Sequence, residues 1–119
     1  MTSLNDKKIF SSKQLDSIVE IDLELAKEIV KNVLSNFPKQ IEKLNHSLKD
    51  KDFDNLNFTG HSLKNDSGNV GGEKLQYLSE QLEQSSKNDD YDTCSVLTQK
   101  IEIEVIRLVS ELKNYISKL

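Results

Sequence analysis

The sequence predicts an all-α fold: an up-and-down, antiparallel four-helix bundle with a short extra helix at its N-terminus. Three observations lead there. Apolar residues recur at steps of three and four along most of the chain, the spacing that lines one face of a helix. The 119 residues include only four glycines and one proline, and all four glycines fall between positions 60 and 72. The turn residues that a sandwich or barrel needs at short intervals are therefore missing. Hydrophobic residues make up 35% and charged residues 30%, a polar balance that suits helices burying one stripe each.

The N-terminal segment, residues 1–20, carries Leu15, Ile18 and Val19 behind Ser11 and Ser12. It reads as a short capped helix packed across one end of the bundle. The bundle itself takes residues 22–119. Its first stripe runs Leu23, Ala26, Val30, Val33, Phe37, Ile41, Leu44 and Leu48, with Asp22 as N-cap. Pro38 falls inside this stripe, where a proline either splits a helix or kinks it. The stripe keeps its phase across Pro38, so one continuous, kinked helix is expected.

Lys49 to Asp52 form a polar turn, and Asp52 caps a second stripe of Phe53, Leu56, Gly60, Leu63, Ser67 and Val70. Gly68, Gly71 and Gly72 end it, because glycine accepts the left-handed backbone that closes a helix. A third stripe, Leu75, Leu78 and Leu82, fades into the polar run from Ser85 to Asp90. The last, with caps available from Asn88 to Asp90, takes Cys94, Leu97, Ile101, Val105, Leu108, Leu112, Tyr115 and Leu119. Helices like these are not stable singly in water, so the stripes are expected to bury one another. No repeat or linker interrupts them. A single domain over 1–119 is expected, and a methionine start with a complete bundle reads as a stand-alone protein.

Charge and motif content narrow the function. Sixteen Lys+Arg against 20 Asp+Glu leave a net charge of −4, which supplies no footprint for nucleic acid or anionic lipid. No run of apolar residues is long enough for a membrane span or a signal peptide, so a cytoplasmic location is expected. Cys94 has no partner for a disulfide or a metal knuckle, and two histidines are thin material for a transition-metal site. No phosphate-cradling loop, nucleophile elbow or zinc motif is present. Nothing here composes a self-contained enzyme.

That leaves the histidines. His46 lies about 200° around its helix from the buried stripe, among Asn45, Ser47 and Lys49, and reads as a solvated surface residue. His61 follows the stripe position Gly60 and so points about 100° away from the seam. Asn57, Phe58, Lys64, Asn65 and Gly68 share its side of the helix. On these residues alone His61 is either a solvated surface histidine or a nucleophile. Neutral imidazole is well populated near neutral pH and attacks electrophiles, and Lys64 is placed to stabilise anionic oxygens.

The run His61-Ser62-Leu63-Lys64, then Gly68, Val70-Gly71 and the leucines up to Leu82-Glu83, resembles the histidine-containing phosphotransfer (HPt) domain family. That family's pattern is His-x-Leu-Lys-Gly, a glycine seven residues past the histidine, and an apolar residue followed by glycine. The likeness extends over the chain from Asp22, with Phe37-Pro38, Leu44 and Leu48 fitting the family's first long helix. It implies a phosphorelay intermediate rather than an enzyme. His61 would take a phosphoryl group from a receiver-domain aspartate and pass it to another. Lys64 would stabilise the phosphate, and Gly68 would leave clearance for the receiver. Asn57, Phe58 and Asn65 would belong to the docking surface, although Phe58 also reads as a partly buried packing residue.

The resemblance implies that the chain binds no cofactor of its own and that the receiver brings Mg²⁺. The implied partners are receiver domains of response regulators, of hybrid sensor histidine kinases, or of both, with no role for nucleic acid or membrane. The chain departs from the pattern after Lys64, where Asn65 replaces the usual glycine and Asp66 follows. An altered transfer rate or partner choice is expected from that change. Two rival readings are an HPt-like adaptor that docks receivers or kinases without carrying phosphate, and a homo-oligomeric bundle with weak metal sites at its histidines.

Overall fold

The structure is a computed structural model and describes residues 4–119; positions 1–3 of the N-terminal segment lie outside the described residues. A 3-10 turn at Leu4–Asp6 leads into α1 (Lys13–Ile21), and four longer helices follow: α2 (Leu23–Lys49), α3 (Phe53–Asn69), α4 (Glu73–Lys87) and α5 (Tyr91–Ser117). α2 packs on α3, α3 on α4, α4 on α5, and α5 closes back on α2, while α1 leans on α2. Short connections between consecutive neighbours make this an up-and-down bundle.

Aspartate caps start three of the long helices. Asp22 accepts from Leu25 N at 3.0 Å, Asp52 from Asn55 N at 3.1 Å and Asp90 from Thr93 N at 3.2 Å. Each satisfies one of the orphan donors of a first turn. Ser12 precedes α1 but does not cap it; its backbone is helical, and its hydroxyl donates to Asp16 at 2.9 Å instead. Pro38 sits within the unbroken α2, on an exposed position.

The stripes converge on a core in which Phe37, Leu44, Leu56, Leu63, Leu82, Ile101, Leu108 and Leu112 are fully buried. Truncating any of these leucines to alanine costs roughly 2–5 kcal/mol. The ends of the expected stripes fall outside: Leu23 and Leu119 are exposed, because a terminal turn has a neighbour on one side only. α4 also runs further than its leucines, through Ser85 to Lys87. Ser86 is buried, and its hydroxyl donates to Glu83 O at 2.8 Å, so the helix itself satisfies the polar group. Ser67 and Ser79 do the same toward Leu63 O and Leu75 O. These small buried residues, together with Gly60, let α3 and α4 approach closely along their length.

The turn between those two helices is fixed by Gly71, whose φ is +81°. A side chain there would also run into Ser11 O, and Gly71 O accepts from Ser11 N at 2.8 Å. The N-terminal segment is strapped on by this bond and by Lys74 N donating to Lys8 O at 2.9 Å. Phe10 meets the edge of Tyr115, and Tyr115 OH donates to Asp16 at 2.7 Å.

Candidate functional site

His61 stands on α3 beside Gly60, where α4 lies close. A Cβ on Gly60 would come within 3.3 Å of Ser79 O and 3.4 Å of Glu83 Cγ, so the glycine is what lets α4 lie so near. Asn57, one turn before His61, donates its amide to Glu83 O at 2.9 Å. Glu83 is thereby pinned at the backbone, with its carboxylate aimed at the histidine. Asn57, expected on a docking surface, is half-buried and engaged with α4.

The carboxylate has two partners. Oε2 lies 3.2 Å from His61 Nδ1, and Oε1 lies 2.8 Å from Lys64 Nζ. The second contact is an ion pair at hydrogen-bonding distance. Glu83 is 12% exposed, against 55% for the His61 side chain and 27% for Lys64. Burial opposes ionisation of Glu83, yet the contacts from Lys64 and His61 together outweigh it and hold the carboxyl below the usual glutamate range. Glu83 correspondingly raises the Lys64 ammonium above its ordinary value.

An ionised carboxylate can only accept, so His61 Nδ1 must carry the proton. Its Nε2 then bears the lone pair. Asn65 Nδ2 is 3.3 Å from Nε2, a donor directed at that lone pair. The ring thus has a fixed tautomer, one nitrogen anchored in the protein and the other half in solvent. That arrangement can serve as a nucleophile.

The remaining expected residues fall around this centre. Asp66 turns away from His61: its Oδ2 accepts from Asn36 and Gln40 of α2 at 3.2 and 2.9 Å, so its charge is spent between helices. A Cβ on Gly68 would meet Gln76 Nε2 at 2.7 Å. Gly68, expected to leave clearance for a partner, thus lies beneath the exposed Gln76 side chain of α4. Phe58 is 64% exposed rather than a packing residue, and it borders a groove of about 840 Å³ between α2 and α3 with Lys39 and Lys43 on the far wall. His46 lines the other end of that groove, well exposed, 3.9 Å from Asp50.

Glu83 is the site residue that sequence reasoning did not single out. Its signal is a symmetry: His61 and Glu83 each stand eleven residues from Gly72, on opposite sides of the turn. Gly68 and Gln76, each four residues from it, meet in the same way. In a helical hairpin, positions equidistant from the turn face each other.

Among the described residues no group of three or more His, Cys, Asp or Glu side chains could hold a metal ion, and no helix is long and apolar enough to cross a membrane. The features describe a helical bundle that presents one oriented, half-exposed imidazole. The family model of the Hpt domain matches residues 28–117, and the chain belongs to that family. Its members are phosphocarriers of phosphorelays rather than enzymes in their own right. The fold matches the crystal structure of histidine-containing phosphotransfer protein B (HptB) from Pseudomonas aeruginosa PAO1 with a TM-score of 0.87. That match has 20% sequence identity and covers 92% of this chain and 96% of the other. No curated protein sequence matches the chain significantly.

Proposed function

We propose that residues 1–119 act as one phosphorelay unit, in which Nε2 of His61 carries a phosphoryl group between receiver-domain aspartates. The observation that supports this reading best is the grip of Glu83 on Nδ1, which leaves the lone pair on the solvent-facing nitrogen. In the forward step a bond forms between Nε2 and phosphorus, and the bond from phosphorus to the aspartyl oxygen breaks. Its electron pair stays on the departing carboxylate. Nδ1 keeps its proton, so the phosphorylated ring is cationic, and Glu83 stands beside it as counter-ion. The return step to a second receiver reverses this sequence.

Phosphoryl transfer needs alignment and charge stabilisation more than covalent machinery. Lys64, within one helical turn of His61, is the cation for the phosphoryl oxygens, and the Asn65 amide is a donor to them once phosphorus occupies Nε2. The receiver brings the Mg²⁺ and the second half of the site. Exposed Phe58 gives the receiver an apolar anchor, with Lys39 and Lys43 near it for an acidic rim. A pure adaptor has no use for an imidazole held in one tautomer.

The test is labelling by a phosphorylated receiver. His61→Gln is expected to abolish the base-stable, acid-labile label while His46→Gln keeps it. Label that survives in His61→Gln removes the reading.

A further inference from the structure

α5 has more apolar surface than the core consumes. Val96, Ile103 and Ile106 lie on its outer side and are 51%, 50% and 71% exposed. Half-buried Val109 continues the row. Next to it, Leu34, Pro38 and Ile41 of α2 wall a groove of about 350 Å³ whose rim carries Glu102 and Lys113. Single apolar residues are normal on a surface, but a row in helical register joined to a groove marks a binding face. It lies on the α2–α5 side of the ring of helices, away from the α3–α4 side that holds His61 and Glu83.

We infer that this face binds a second copy of the chain, α5 against α5 and antiparallel, about a two-fold axis beside Ile106. The charge pattern selects that occupant. With the axis there, Ile106 meets its own copy and Ile103 meets Val109 of the second copy. On one flank of the row Glu102 comes opposite Lys113 of the second copy; on the other, Lys100 comes opposite Glu111 of the second copy. Both pairs are of opposite sign, and the symmetry makes each twice. Among the described residues, Lys100, Glu111 and Lys113 form no ion pair within their own chain. Arg107, nearest the axis, already has its charge met by Glu104 at 2.6 Å. A parallel pairing would set Glu102 on Glu102 and Lys113 on Lys113, so complementarity also fixes the direction.

The inference stands apart from the relay and is tested without it. Ile106→Cys in the full chain is expected to give a disulfide-linked dimer under mild oxidation, whereas Val96→Cys, far from the axis, is not. Cys94 is buried and does not compete. Adding Lys113→Glu should cut the cross-linking yield severalfold, and Glu102→Lys in the same chain should restore it. Sedimentation of the unmodified chain should show concentration-dependent dimers that Ile106→Glu removes, with helical circular dichroism unchanged because the residue is exposed. A chain that stays monomeric from micromolar to millimolar concentration, its face left for another protein or a lipid, overturns the inference. So does cross-linking as efficient at position 96 as at 106.

Discussion

The carboxylate of Glu83 holds His61 Nδ1 at 3.2 Å with one oxygen and Lys64 Nζ at 2.8 Å with the other. One side chain from α4 thereby sets both the tautomer of the imidazole and the resting place of the cation. The two groups it joins lie three residues apart on α3, and the close approach of α4 depends on Gly60 having no side chain.

Glu83→Gln tests that coupling. The amide keeps the shape and an acceptor for Nδ1 but loses the charge that would balance the phosphorylated ring. A hydrogen bond to a charged group contributes about 1.5–3 kcal/mol, so transfer from a phosphorylated receiver should slow by about ten- to a hundred-fold. Thermal unfolding followed in parallel separates this from misfolding. Transfer at the wild-type rate would mean that Glu83 is only a packing residue.

Asn65 stands where the family has glycine, with its amide 3.3 Å from the attacking nitrogen. A neutral hydrogen bond to the lone pair must break before attack, at a cost of about 1 kcal/mol. Asn65→Ala, which adds no helix penalty, should therefore take up phosphate roughly fivefold faster. Stopped-flow or quenched mixing with several receivers reads this out, and identical rates with all of them would contradict the role.

Phe58 is exposed beside a groove with lysines on its far wall, so its effect should appear in encounter rather than stability. Phe58→Ala should change unfolding free energy by less than about 0.5 kcal/mol. In contrast, KM for a phosphorylated receiver should rise several-fold with the maximal rate little changed. A large stability loss with unaltered KM would place the ring in the core instead.

The acid behaviour of the site follows from the depressed Glu83 carboxyl. Its folded pKa is below the ordinary 4.5, so the stability it contributes is present above the unfolded value and is lost as pH falls through the folded one. The Glu83 carboxyl resonance should thus titrate below pH 4.5 in the folded protein, and Lys64→Ala should move that midpoint upward. A midpoint at or above 4.5, unmoved by Lys64→Ala, would mean that the ion pair is not formed in solution.

Much of this was legible from residue spacing. Asp22, Asp52 and Asp90 each cap the helix expected of them, and the phase kept across Pro38 marks a helix that does continue. His61, Lys64 and Asn65 were legible for the same reason, since a single helix relates them. What escaped was relation between helices. The motif ends at Leu82-Glu83, but only the α3–α4 hairpin, mirrored about Gly72, brings Glu83 rather than Glu80 to the histidine. Asn57 and Gly68 also meet α4, at Glu83 O and Gln76, contacts that spacing within α3 does not reveal. Ser85 and Ser86 look like a loop by propensity, yet α4 runs through both to Lys87 and buries Ser86.

In the proposed relay the phosphoryl group travels on one nitrogen of one histidine. NMR of isotope-labelled imidazole nitrogens, after phosphorylation by a receiver, reads out which nitrogen that is. Coupling to phosphorus is expected at Nε2 of His61, with the proton retained on Nδ1 and His46 unchanged. Phosphorus on Nδ1 of His61, or on His46, would contradict it.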